Sequence, residues 1–127
     1  MGMTAVMCLA TAIYFEARGE HHTGQMAVAQ VVVNRVDDGR YPDTVCSVVW
    51  EPSAFSFTHD GRSDRMVDLE SRSKALQVAR STLDGGGLGI TSTHYHTVSV
   101  DPYWNDHYEL DGVIGNHVFY TNETPHK

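Results

Sequence analysis

Basic residues are scarce in this chain. Nine Lys and Arg stand against 16 Asp and Glu in 127 residues, a net charge of −7 with a pI near 5.5. That balance argues against non-specific nucleic-acid binding and gives no electrostatic reason to dock on anionic surfaces. No apolar run reaches the roughly 18 residues of a membrane span, so membrane insertion is not expected. The opening M-G-M-T-A-V-M-C-L-A-T-A lacks a basic residue and leads straight into Glu16 and Arg18, so it does not read as a signal peptide. There is no repeat, no low-complexity segment and no Gly-x-Ser-x-Gly elbow, and the stretch from Gly85 to Gly89 lacks the Lys-Ser/Thr ending of a phosphate loop. Cysteine is limited to Cys8 and Cys46. Both lie in apolar helical contexts that suit reduced core thiols, and spacing does not decide whether they bond to each other.

What is present suffices for one folded domain, since 41% of the residues are hydrophobic. Residues Met3 to Arg18 predict a first helix, with Gly19 in the place of a C-cap glycine. Thr23 is a candidate N-cap for a second helix to about Val36, whose apolar run makes it a central one. Pro42 in a first-turn position predicts a third helix to about Val49. Asp64 to Leu83 predicts a fourth, with Leu69, Leu76, Ala79 and Leu83 inward, ended by Gly85-Gly86-Gly87. Beyond it, Ile90 to Val100 and Val113 to Tyr120 have strand composition, the second interrupted by Gly115-Asn116. Asp101 to Asp106 reads as a turn or single helical turn, and Ser53 to Gly61 as a loop whose Phe55 and Phe57 are either displayed to a ligand or plugs for the core. The expectation is a single α+β domain over 1–127, helical to about 84 and β-rich from about 88 to 121, with a small antiparallel sheet.

Within the first helix Val6, Leu9, Ile13 and Ala17 mark an apolar face, with Thr11 and Arg18 opposite. Glu16 falls inside that face. A carboxylate there is costly, and both desolvation and the negative end of the helix dipole raise its pKa. Two readings follow: a general acid still protonated near neutral pH, or a structural Glu paired with a buried Arg such as Arg35. Along T-S-T-H-Y-H-T, His94 and His96 share a strand face. With His117 approaching from a partner strand they could hold zinc; the alternatives are substrate-contacting imidazoles or half-exposed polar residues. Tyr14, Tyr95, Tyr103, Trp104, Tyr108 and Tyr120 offer flat faces on which sugar rings stack, and are equally ordinary core and rim residues.

Four blocks, in order, resemble one family: A-I-Y-F-E-A-R-G-E at Ala12 to Glu20, G-Q-M-A-V-A-Q-V-V-V-N-R-V at Gly24 to Val36, W-E-P-S-A-F-S at Trp50 to Ser56, and I-G-N-H-V-F-Y at Ile114 to Tyr120. The chain resembles the cell-wall hydrolases typified by the spore cortex-lytic enzymes of the SleB/CwlJ type. The resemblance implies a lysozyme-like helical body and a peptidoglycan glycan-strand hydrolase. It implies Glu16 as the catalytic acid, with Glu20 as the fallback. The pattern from His94 to Trp104, H-Y-H-x-x-x-V-x-P-Y-W, looks more like the Gram-negative and phage-associated branch than the spore branch.

On that reading Glu16 protonates the glycosidic oxygen between N-acetylmuramic acid and N-acetylglucosamine, and no metal or cofactor is expected. A hydrolytic muramidase normally needs a second carboxylate. Glu51 and Asp101 are weak candidates, which favours a lytic transglycosylase giving a 1,6-anhydro sugar. Phe55, Ser56, His94, Tyr95, His96 and Trp104 are expected to line the groove. The rivals are a zinc amidase built on His94, His96 and His117, and a non-catalytic wall-binding module. Peptidoglycan is the expected partner of a monomeric protein acting on the wall in the periplasm or outside the cell. Without a leader in the sequence, a phage lysin released through a membrane pore and a trimmed domain read alike.

Overall fold

Thr4 opens the chain's first helix by accepting a hydrogen bond from Met7 N at 3.2 Å, the side-chain cap that a helix start needs. This is a computed structural model; it describes residues 3–51, 55, 65–99 and 108–121. Helix α1 (Ala5–Ala17) is buried on every side from Cys8 to Tyr14. The expected outward position of Thr11 is therefore wrong: it is buried, and its hydroxyl is satisfied by Met7 O at 2.7 Å on its own helix. The cause is the packing of three other helices around α1. Helix α1 stops at Ala17, and Gly19 follows without a left-handed backbone.

Helix α2 (His22–Asp37) begins ahead of Thr23, with His21 in the cap position. Helix α3 (Val45–Val49) is shorter than expected. Thr44, not Pro42, sets its start by accepting from Ser47 N at 3.1 Å. Helix α4 (Leu69–Ser81) is capped by Asp68, which accepts from Ser71 N at 3.2 Å. Leu69 therefore sits in the first turn and is 74% exposed, against expectation. Ala79 faces the core as expected, joined by Ala75 and Val78, and Leu76 and Leu83 pack against it half-buried. A π-helical turn at Thr82–Gly86 ends the segment, and Gly85 takes φ +94°, a backbone that suits glycine.

The sheet has strand order β1-β3-β2, all antiparallel: β1 (His94–Thr97), β2 (Glu109–Ile114) and β3 (His117–Thr121). The stretch read as one interrupted strand is a hairpin, because Gly115 at φ +59° and Asn116 form the turn between β2 and β3. The start of β2 was not foreseen. Its residues lie mostly at the surface and carry little apolar alternation, and a bulge between Leu110 and Gly112 breaks the period.

Leu9, Ile13, Ala29, Val32, Val48, Val49, Phe55 and Val78 belong to the main core among the helices. A smaller cluster of Ala17, Ala27, Val28, Val31 and Phe119 seats the sheet on α1 and α2. Tyr95 packs against both clusters. Cys8 and Cys46 form a disulfide with Cα atoms 5.2 Å apart, tying α1 to α3. Spacing alone leaves this pairing open; the packing of α1 against α3 brings residues separated by 38 positions within bonding reach.

Candidate active site

Two consecutive residues of α2 shape the approach to the sheet. Asn34 Nδ2 donates to Ile90 O at 3.0 Å and to Ser92 O at 2.8 Å, and Arg35 Nε donates to Thr93 O at 2.7 Å. The segment entering β1 is thereby fixed to α2. Alternation along β1 then sends Tyr95 towards the helices, and its hydroxyl donates a hydrogen bond to Glu16 Oε1.

Glu16 lies on the last turn of α1, half-buried. Burial raises its pKa above the usual carboxylate range, while the Tyr95 hydrogen bond and the charge of Arg35 oppose that rise. No ion pair within 4.0 Å joins Glu16 to Arg35 among the described residues. Tyr95 occupies one of the two carboxyl oxygens. Tyr95 itself is pushed well above its ordinary pKa, first by burial and then by Glu16, so it stays a donor. A protonated carboxyl held by a fixed phenol is an arrangement capable of general-acid chemistry.

Around this pair, Arg35 lies with its guanidinium carbon 5.3 Å from the Tyr41 ring centre and 5.8 Å from that of Phe55. Tyr41 Oη is 3.4 Å from His94 Nε2, and the His94 and Tyr108 rings are 4.5 Å apart. Burial, with the positive charges of Arg35 and Arg40, lowers the His94 pKa to about 4, so its imidazole is neutral at neutral pH. Phe55 is 4% exposed and sits in the core, the plug rather than the displayed aromatic. Ser56, Trp104, Tyr103 and Asp101 lie outside the described residues. Glu51 is half-buried.

The register divides the histidines. His94 and His96 pair with Tyr120 and Val118, whereas His117 pairs with Thr97, so His117 projects from the opposite face. It meets the Tyr95 ring edge-on at 5.0 Å, while His96 stacks on Tyr120 and lies 3.0 Å from its hydroxyl. The expected convergence of three imidazoles does not form, and no cluster of three or more metal-ligating side chains occurs among the described residues. Tyr14 and Tyr120 are core residues rather than sugar platforms; the Tyr14 hydroxyl is engaged by Arg18 and by Asp68 N.

Glu20 is committed elsewhere. It accepts from Asn116 N at 2.9 Å and from Asn116 Nδ2 at 3.1 Å, and these bonds hold its pKa low. It fastens the β2–β3 turn to the segment after α1, and a lowered pKa runs opposite to what a proton donor needs. A Cβ on Gly115 would push against Glu20 Oε1, so a side chain there would disturb the Glu20–Asn116 bonds besides straining a left-handed backbone. Two cavities of about 540 and 350 Å³ are lined in part by Met3, Met7 and Met66 and by Arg18, His22 and Lys74, and Glu16 borders neither.

Sequence reasoning missed Asn34 and Tyr41, and placed Tyr95 only as a groove residue. The alternation of H-Y-H already put Tyr95 on the face opposite the two histidines; the identity of its partner across 79 residues had no local signal.

The sequence profile described as Cell Wall Hydrolase matches residues 19–120. The spore cortex-lytic enzyme of Bacillus cereus is 46% identical over 114 residues, covering 90% of this chain and 43% of that protein. The spore cortex-lytic enzyme of Oceanobacillus iheyensis is 40% identical over 90 residues, covering 71% of this chain and 31% of its own. The chain thus spans less than half the length of these relatives. Among solved structures, the catalytic domain of the germination-specific lytic transglycosylase SleB from Bacillus anthracis superposes with a TM-score of 0.79 at 29% identity, covering 95% of this chain and 97% of that one. The catalytic domain of Bacillus cereus SleB gives 0.75 at 28%, covering 94% and 93%.

Proposed function

From the premise that the chain belongs to the cell wall hydrolase family, we propose that it cleaves peptidoglycan glycan strands as a lytic transglycosylase, with Glu16 as the proton donor. The observation that carries this reading is the half-buried Glu16 carboxyl, raised in pKa by burial and held by the Tyr95 hydroxyl. The likeness over almost its whole length to a catalytic domain described as a lytic transglycosylase supports the same reading.

In the proposed reaction Glu16 Oε2 gives its proton to the glycosidic oxygen, and the bond from that oxygen to C1 of N-acetylmuramic acid breaks. The N-acetylglucosamine side leaves as an alcohol. The Glu16 carboxylate then takes the proton of the muramic acid C6 hydroxyl as O6 bonds to C1, closing the 1,6-anhydro ring and restoring the acid. Tyr95 keeps the carboxyl oriented, and Arg35 stabilises its charged form between the two transfers. One carboxyl serves both steps. That fits a site in which Glu20 is bound to Asn116. Phe55 supports the Arg35 wall from the core, and His94, His96, Ser56 and Trp104 are assigned to the groove.

Residues 1–127 are read as one catalytic unit that acts on the wall as a monomer, without nucleic acid, metal or cofactor. No described helix is long and apolar enough to cross a membrane. A phage lysin and a bacterial enzyme share this reading.

Mass spectrometry of the products from purified sacculi tests it. Muropeptides with 1,6-anhydro ends are expected. Reducing ends would instead identify a muramidase, peptide cleavage an amidase, and binding without soluble product a wall-binding module.

A further inference from the structure

Arg35 is only 8% exposed, yet the described acids leave it without an ion-pair partner within 4.0 Å. Asp38, the residue that caps the C-terminus of α2, is bonded to Arg40 at 2.8 Å. Arg35 Nε is used on Thr93 O, and its two terminal nitrogens make no hydrogen bond to the described residues. Among the described residues the fully buried side-chain atoms lacking partners are Thr82 Oγ1 and His117 Nδ1, so the two terminal nitrogens of Arg35 keep some exposure. The guanidinium lies near the Tyr41 and Phe55 rings, its carbon 5.3 and 5.8 Å from their centres, with its terminal nitrogens not fully enclosed.

A buried cation is costly until an anion meets it, and a guanidinium fork matches a carboxylate in shape and charge. Arg35 acts electrostatically on Glu16, Tyr95, Tyr41 and His94. Glu16 is the acid among these four; Asp38 also acts on Tyr41 and His94 but is bonded to Arg40. When Glu16 is protonated and ready to donate, no charged acid among the described residues lies within 4.0 Å of the Arg35 guanidinium. The missing counter-charge is then due from the ligand.

We propose that Arg35 anchors a carboxylate carried by the substrate. On a glycan strand that group is the free lactyl carboxylate of an N-acetylmuramic acid residue, so the preferred strand has muramic acid without attached peptide. This inference rests on the glycan-cleaving reading above.

Calorimetric titration of the Glu16→Gln protein, which binds without cutting, tests the anchor. The probes are the β-1,4-linked N-acetylglucosaminyl-N-acetylmuramic acid disaccharide and its methyl ester. About tenfold tighter binding of the acid is expected, the scale of one charge-assisted contact. Adding Arg35→Gln should erase the preference, while Arg35→Lys should retain part of it. Equal affinity for acid and ester, or a preference that survives Arg35→Gln, overturns the anchor. Should Arg35→Gln fail to fold by circular dichroism, the acid-to-ester ratio of the parent protein decides alone. Release of muropeptides by the wild type together with equal binding sinks the anchor and leaves the glycan-cleaving reading standing. No release and no binding of either sugar sinks both.

Discussion

Tyr95 on β1 donates its hydroxyl hydrogen to Glu16 Oε1 on α1, and that bond joins the sheet to the helical body at the point where the chemistry is proposed. Tyr95→Phe removes an influence that holds the Glu16 pKa down. The acid pKa should rise further, so the alkaline limb of the kcat profile should move to higher pH. The maximum should also fall, because the carboxyl loses its orientation. A pH–rate series on solubilised glycan strands measures both. An unmoved alkaline limb would mean that Tyr95 does not act on the reacting acid.

Glu16→Gln should reduce cleavage of sacculi by about 10²–10⁴-fold, the usual contribution of a positioned general acid. Its stability should move the other way. A Glu with a pKa raised on folding stabilises the native state below its ordinary value of 4.5 and loses that contribution as pH rises through the folded value. Near pH 7 the variant should therefore melt above the wild type, with the gap closing towards pH 4. Thermal melts at several pH values give the sign.

His94 predicts an opposite slope. Its pKa drops from an ordinary 6.5 to about 4 on folding, so the unfolded chain binds the extra proton between these values. Stability should fall as pH drops through that window. Replacement by Gln should flatten the fall in urea midpoints between pH 6.5 and 4.

The Cys8–Cys46 bond closes a loop between residues 38 apart. Replacing both cysteines by Ala, or reducing the bond, should cost about 2–4 kcal/mol. Urea unfolding with and without reductant reads this directly, and an unchanged midpoint would reject it.

Gly115→Ala combines a left-handed backbone at φ +59° with a Cβ 2.2 Å from Glu20 Oε1. A loss of about 1–3 kcal/mol is expected for the strained backbone alone. Glu20→Ala should loosen the same turn yet keep measurable cleavage, in contrast to Glu16→Gln. Comparing the melting temperatures and rates of the three variants separates a structural acid from a reacting one.

Much of this was legible in the residues. The helix count followed from apolar periodicity and turn residues, and Glu16 stood out because an acid interrupted an apolar face. The all-round burial of α1 was not legible, since Thr11 satisfies its hydroxyl within its own turn and so sits in the core at little cost. The β2–β3 hairpin was hidden because a Gly-Asn pair can break one strand or join two. The roles of Glu16 and Glu20 were separable only through Asn116 and Tyr95, each more than 75 positions away.

Because neighbouring side chains of α2, Asn34 and Arg35, hold the backbone from Ile90 to Thr93, the rotational phase of that helix sets where Tyr95 arrives. Inserting one residue between Val28 and Val33 would turn everything after it by about 100°. Both grips would release together, and the phenol would lose its carboxyl although neither residue had been altered.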